Sequence, residues 1–476
     1  MFLFLLILAK KNDKKFLSLH IITQEMKLKN IKYIISHLLV WVFILGVHSQ
    51  TVDFSQLVFD NHVYHEDILS VKVGVTGHAT QEVEMAKAKA IGADNLAFFP
   101  PVIRLHTSDK IKVTFDDLSG EIKYMRYTLI HCTYDWKPTN TLNPNEYLNR
   151  FTEDDIINYS FSRNTIQPYV SFSFSFPNEH IEISKSGNYL LYIYEEQGSK
   201  IIPLVSKRIM VVEDLVTLTA DIIQSSNIPE RFTHQEINFQ INLNNQRFNS
   251  PASNIKVLIM QNERYDNALL VTKPYVNQGN ILQYNERGGV TIEGGNEFRT
   301  FNIKSLRMTM ENIEKISYYD DDYYVYIYTD EDRQYKAYAN HIDINGYYFN
   351  ETSDFATVGE ADYAHVFFRL KYDKPFQGDI YVFGELTNWQ LQENAKLTYK
   401  EYARTWQTDL YLKSGYYNYM YLFLPEGSSV ATANLIEGSH WETENRYTFY
   451  VYYKSDPSSY DRIIGYNSKY SFPKNK

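Results

Sequence analysis

The chain has 476 residues, with 47 Lys and Arg against 57 Asp and Glu and a net charge of −10. That balance argues against nucleic acid and against an anionic membrane surface as partners, since both need a basic face. A single cysteine, Cys132, allows no internal disulfide, which fits a bacterial periplasm or cell surface better than a eukaryotic secreted protein of this size. The 41 Tyr and 28 Phe, with no heptad pattern, point to strands.

Residues 26–49 have the form of a secretory signal peptide. Lys27, Lys29 and Lys32 make a positive start, Tyr33 to Val47 is apolar, and Val47-His48-Ser49 suits a signal peptidase. Cleavage near Ser49 makes Gln50 the first mature residue. Residues 1–25 then read as an upstream artefact, with translation beginning at Met26. Without residues 1–49 the chain keeps 40 basic and 55 acidic residues, a net charge of −15. No other segment approaches the ~18 continuous apolar residues of a spanning helix, so no direct membrane span is expected. Many strands read as continuous apolar runs rather than alternating ten-residue units, which argues against an outer-membrane barrel.

The expected class is all-β, as tandem immunoglobulin-like or early-set β-sandwich domains. The N-terminal sandwich is placed at 50–214. Thr80–Ala93 has modest helix propensity and reads equally as a loop. Ile111–Phe115, Tyr124–His131 and Gly187–Tyr194 read as strands, and Ser171–Phe176 alternates Ser and Phe with period two. Cys132 beside His131 is no nucleophile pair, because neighbours on a strand face opposite ways. His62, His65 and Glu66 lack the further ligands of a metal site.

The middle sandwich is placed at 215–349. Val216–Ile223, Glu236–Leu243 and Lys256–Met260 are apolar strands. Arg299–Leu306, Ile316–Tyr319, Tyr323–Thr329 and Ala337–Ile344 are assigned to the same unit. After Met260 comes a dense polar run with Gln261, Asn262, Arg264, Asp266 and Asn267. Gly294-Gly295 leads into Asn296, Glu297 and Arg299. The glycines give the freedom for a tight turn or bulge. A two-pronged pairing of Arg264 or Arg299 with Asp266 or Glu297 would lock loop to strand. The acidic runs Asp320–Asp322 and Asp330–Asp332 lack calcium-loop spacing and read as solvated strand ends.

The C-terminal domain is placed at 350–476. Its Gly384…Asn388-Trp389 turn, Trp406 strand and Gly415-Tyr416-Tyr417-Asn418-Tyr419 strand resemble the early-set modules of glycogen-metabolising enzymes. In some of those modules the tryptophan matching Trp389 stacks on sugar. Packing is the reading preferred for Trp389.

Seven sequence words in order carry a wider resemblance. They are Ile130-His131-Cys132 with Asp135-Trp136-Lys137-Pro138, Asn145–Leu148, Ser186–Leu191, Met260–Ala268, Gly294–Arg299, Ile436–Asn445 and Tyr460–Gly465. Together they resemble the plug protein family of the type IX secretion system, over nearly the whole mature chain. The resemblance implies a periplasmic protein at the inner face of the outer membrane. Such a protein binds and seals a large outer-membrane β-barrel translocon. It implies no catalytic residue, cofactor or metal. Candidate structural or partner-facing residues are Asp135, Trp136, Gln261, Asn262, Arg264, Asp266, Asn267, Asn296, Glu297, Arg299, Trp389 and Trp406. The alternative reading is a periplasmic or surface glycan-binding protein acting through the C-terminal domain. An enzyme is the least supported class, because no nucleophile, metal or cofactor motif stands out.

Overall fold

The computed structural model describes residues 57–76, 100–198, 200–373 and 377–472. The upstream stretch 1–25, the signal peptide 26–49 and Thr80–Ala93 lie outside them. The described residues form antiparallel-dominated sheets that pair into three β-sandwiches. Helices are single turns such as Pro144–Tyr147 and Asn434–Glu437.

The first sandwich sets two sheets around one core. One sheet runs His62–Val63, Lys200–Val212, Gly187–Gln197, Met125–Cys132, Glu153–Asp155, with Val102–Arg104 parallel to Lys200–Val212. The other runs Ile68–Thr76, Lys110–Asp117, Val170–Phe176, Asn158–Phe161. Alternation decides which side chains are inside. Phe172, Phe174 and Phe176 enter the core while Ser171, Ser173 and Ser175 lie half-buried on the other face.

The second sandwich is built from two distant parts of the chain. Thr217–Gln224, His234–Asn242, Ile281–Tyr284 and Val276–Gln278 form one sheet. The facing sheet runs Leu269–Val271, Ile255–Gln261, Arg446–Tyr453, Arg462–Tyr470, with Ile255 opposite Tyr453 and Gln261 opposite Tyr447. Phe449, Val451 and Ile464 therefore share a core with Ile237, Ile241 and Val257.

The third sandwich occupies the interval between. Arg299–Asn302, Gly415–Pro425 and Tyr348–Asn350, with Gly378–Phe383 on Gly415–Pro425, face Ile313–Tyr319, Asp322–Ile327, Tyr363–Lys371, Thr405–Lys413 and Thr398–Lys400. Its core takes in Phe301, Val325, Phe368, Val382 and Tyr419.

The expected division at 349/350 does not follow these cores. Residues from Arg299 to Ile327, expected in the middle domain, belong to the third sandwich. Residues from Arg446 to Tyr470, expected in the C-terminal domain, complete the second. Ala337–Ile344, expected as a strand, joins no sheet. The reason is non-local pairing: strands alike in composition do not announce which distant strand completes their ladder.

Candidate functional site

The dense polar words meet where the second and third sandwiches join. Strand Ile255–Gln261 ends in Asn262 and Glu263, both left-handed at φ +48° and +59°. Asn adopts that conformation readily, because its side chain bonds locally. The turn is pinned to the re-entering strand from both sides. Asn262 N–H donates to Arg446 O at 2.9 Å, Arg446 N–H donates to Asn262 Oδ1 at 2.9 Å, and Asn262 Nδ2 donates to Asn445 Oδ1 at 2.7 Å. Gln261 Nε2 reaches Glu293 O at 2.8 Å and Tyr447 Oη at 3.1 Å. Gly294 permits the close approach here: a Cβ on it would lie 2.0 Å from His440 O.

Of the pairings expected from sequence, Arg264 grips Asp266 through Nε–Oδ1 at 3.0 Å and Nη2–Oδ2 at 2.6 Å. Arg264 Nη2 also donates to Ala431 O at 2.7 Å, and Ala431 N–H donates to Asp266 Oδ2 at 3.2 Å. Arg299 pairs with neither Asp266 nor Glu297. Its guanidinium contacts Asp330 Oδ1 at 2.6 Å and Glu437 Oε2 at 3.0 Å. Arg333 adds a second cation to Glu437 at 2.7 Å, and Tyr421 N–H donates to Glu437 Oε1 at 2.9 Å. Burial works against the Glu437 charge, yet Arg299 and Arg333 beside it bring the carboxyl down to about 2. Asp330, expected on a solvated strand end, instead accepts from Tyr419 and Tyr421 hydroxyls at 2.6 and 2.9 Å.

Asn296 Nδ2 donates to Glu437 O at 2.7 Å. Glu297 accepts from the Tyr338 hydroxyl and from Glu444 N–H. Asn267 lies half-buried after the Arg264 turn, and its Oδ1 has no hydrogen-bond partner. Buried Arg446 donates to Glu263 at 3.3 Å and to the Tyr347 hydroxyl at 2.5 Å. Burial raises the Glu263 carboxyl, and Arg446 offsets part of that. The whole constellation holds carboxylates against guanidinium groups inside protein. It is a structural junction in which each guanidinium meets a carboxylate.

The first sandwich touches both others. Trp136, at φ +61° and buried, lies over Arg208 (4.7 Å to the ring centroid) and edge-on to Tyr265 of the second sandwich. Asp135 is exposed and bound to Lys137 at 2.7 Å. Toward the third sandwich, Asp116 accepts from Lys413 Nζ at 2.6 Å and Tyr363 Oη at 2.7 Å. Lys72 reaches Glu385 and Tyr348 O, and Lys207 reaches Asn388. Burial lowers all three lysines, Lys207 to about 8. A void of about 40 Å3 among Lys207, Arg208, Glu263, Tyr265, Tyr347 and Glu385 marks where the three sandwiches meet. Charged and hydroxyl groups line part of it, Val71, Val73 and Pro101 another, and it is large enough for a water. A wider cleft of about 1000 Å3 separates parts of the first and third sandwiches. Sequence reading missed these lysines. Their only signal was a charge embedded in an apolar strand, as at Lys413 after Leu410 and Leu412.

Trp389 keeps 9% exposure and packs edge-on against Tyr347 and Phe383. Trp406 joins a different cluster, with Nε1 donating to Tyr372 O at 3.2 Å. The two rings form no shared sugar platform. Cys132 is buried, and burial pushes its thiol up to about 12. The same effect brings His131 down to about 4, so neither is poised as thiolate or imidazolium. Among the described residues no three His, Cys, Asp or Glu gather as metal ligands.

A family model described as "Type 9 secretion system plug protein 1st domain" matches residues 83–213. A crystal structure of a hypothetical protein from Parabacteroides merdae is similar at 31% identity and a TM-score of 0.79, over 87% of this chain and 100% of that one. The chain belongs to the type 9 secretion system plug protein family. The matched region of this plug-family chain takes in most of the first sandwich, and the structural likeness extends through all three. A Salmonella alpha-2-macroglobulin variant, at 8% identity and a TM-score of 0.16 over 87% of this chain and 24% of that one, carries no argument. No curated protein matches.

Proposed function

We propose that this chain is the periplasmic subunit that binds and seals the inner opening of the outer-membrane translocon barrel, without chemistry of its own. Family membership carries this reading, through the matched first plug domain at 83–213. The architecture supports it. A stopper must hold its shape against a wide opening, and buried ion-paired junctions among three sandwiches resist relative movement. No helix among the described residues is long and apolar enough to cross a membrane. In this reading the chain reaches the periplasm by its signal peptide and stays at the inner face of the outer membrane. The barrel is its partner.

The test is an affinity pull-down of the tagged chain, residues 50–476, from detergent-solubilised envelopes, read by mass spectrometry. Near-stoichiometric recovery of one very large outer-membrane barrel protein is expected. Its absence, alongside retention of envelope glycans, would turn the reading toward the glycan-binding alternative.

A further inference from the structure

The lysines at the seam of the first and third sandwiches differ in what they hold. Lys72 meets the carboxylate of Glu385, and Lys413 that of Asp116. Lys207 meets a carboxamide instead: its Nζ donates to Asn388 Oδ1. Lys207 is 7% exposed, on strand Lys200–Val212. Asn388 follows the single 3-10 turn Glu385–Thr387 in the left-handed conformation at φ +56°, and its N–H donates to Glu385 O at 2.8 Å. Glu385 lines the same void of about 40 Å3 as Lys207, walled in part by Val71, Val73, Pro101 and Trp389. Its Oε2 accepts from Lys72 Nζ and from Tyr348 N–H at 3.1 Å. An amine, a carboxamide and a carboxylate thus adjoin in a largely apolar setting.

Burial disfavours the ammonium, and the Glu385 charge offsets only part of that, so the Lys207 amine is brought down to about 8. About a tenth is then free amine at pH 7, against roughly one part in a few thousand for an ordinary lysine. A lysine freed of its proton by burial is a nucleophile. Holding it against a carbonyl group removes the entropic cost of encounter.

We infer that Lys207 and Asn388 join covalently, as an isopeptide bond between the first and third sandwiches. Nζ forms a bond to Asn388 Cγ, the Cγ–Nδ2 bond breaks, and Nδ2 leaves as ammonia. The proton it needs is the one Nζ gives up, carried by Glu385. No oxidant, cofactor or second protein is consumed. Asn388 also lines the cleft of about 1000 Å3, which gives the ammonia a way out. The Lys413–Asp116 pair lacks the third member: Asp116 is both the partner of Lys413 and the charge that acts on it.

The bond closes a loop spanning 181 positions, in a chain whose single cysteine allows no disulfide. A cross-link over so long a loop takes freedom mainly from the unfolded chain. It fixes the seam at one point and leaves the Lys413–Asp116 contact able to part. Nothing in this chemistry depends on the barrel.

The test is peptide mapping of the folded chain, residues 50–476. Trypsin should release residues 201–208 and 372–396 as one branched peptide, lighter by about 17 Da than the two linear ones together. Fragmentation should place the join at Lys207 and Asn388. Lys207→Met and Asn388→Ala should yield linear peptides only. Glu385→Gln keeps the shape of the side chain but carries no proton. Timed after a pulse of cell-free synthesis, it should form the branched peptide at least about tenfold more slowly than the parent. Linear peptides alone from the folded parent, or a join at other residues, overturn the bond. A rate unchanged in Glu385→Gln overturns the proton relay. The parent's map decides the bond even where a variant does not fold.

Discussion

The seam between the second and third sandwiches and the seam between the first and third are both polar, but they are closed in different ways. At the second–third seam the backbone crosses between sandwiches, and Arg446–Tyr453 returns to complete a sheet begun by Ile255–Gln261. Arg264, Arg299, Arg333 and Arg446 then face Asp266, Asp330, Glu437 and Glu263 across short distances. At the first–third seam lysines do the joining, and a cleft of about 1000 Å3 remains beside them. A guanidinium offers several fixed donors to two carboxylates at once, whereas an ammonium is a point charge on a flexible stem. The first kind of seam makes two sandwiches one folding unit. The second holds a neighbour in place and can yield first.

The largest test of that contrast is Arg299→Met. It strips the guanidinium from half-buried Asp330 and half the positive charge from fully buried Glu437, and should cost about 3–5 kcal/mol. Urea unfolding should show the second and third sandwiches lost in one earlier transition. Separate transitions for them would contradict a shared unit.

Acid should act on the same place. The Glu437 carboxyl is held at about 2 against an ordinary value of 4.5. Its contribution is full above 4.5 and is lost as pH falls through about 2. The size is about 3 kcal/mol at neutral pH by linkage. In Glu437→Gln, stability measured by urea midpoints from pH 6 to pH 2 should lose that part of its slope.

Lys413→Met is milder. Asp116 keeps the hydroxyls of Tyr363 and Ser171, so about 2 kcal/mol is expected. Amide exchange should quicken first in Lys110–Asp117 and Tyr363–Lys371, while Ile255–Gln261 stays protected. Equal loss of protection at both seams would erase the distinction drawn between them. Arg264→Lys, which keeps the charge but loses the fork on Asp266, should cost about 1 kcal/mol by the same unfolding measurement.

Several of these residues are legible in the sequence alone. The dense run from Gln261 to Asn267 cannot be apolar core, and its polarity marks a turn. The Gly294-Gly295 pair marks a close approach. Partner choice is not legible. Arg299 finds Glu437, 138 residues away, and Asp330, while Glu297 two positions earlier takes Tyr338 instead. Trp389 and Trp406 both belong to the words that resemble the early-set modules, yet tertiary packing encloses the first against Tyr347 and Phe383 and places the second in another cluster.

The sequence by itself determined the all-β class, the alternation that buries Phe172, Phe174 and Phe176, and the family, because side-chain period and local word order survive in one dimension. Only the tertiary structure decided that the last strands complete the second sandwich, that Asp330 accepts from the Tyr419 and Tyr421 hydroxyls, and that Asn158–Phe161 ends its sheet. Each of those depends on which distant segment arrives alongside, and a strand's own residues do not encode its neighbour's address.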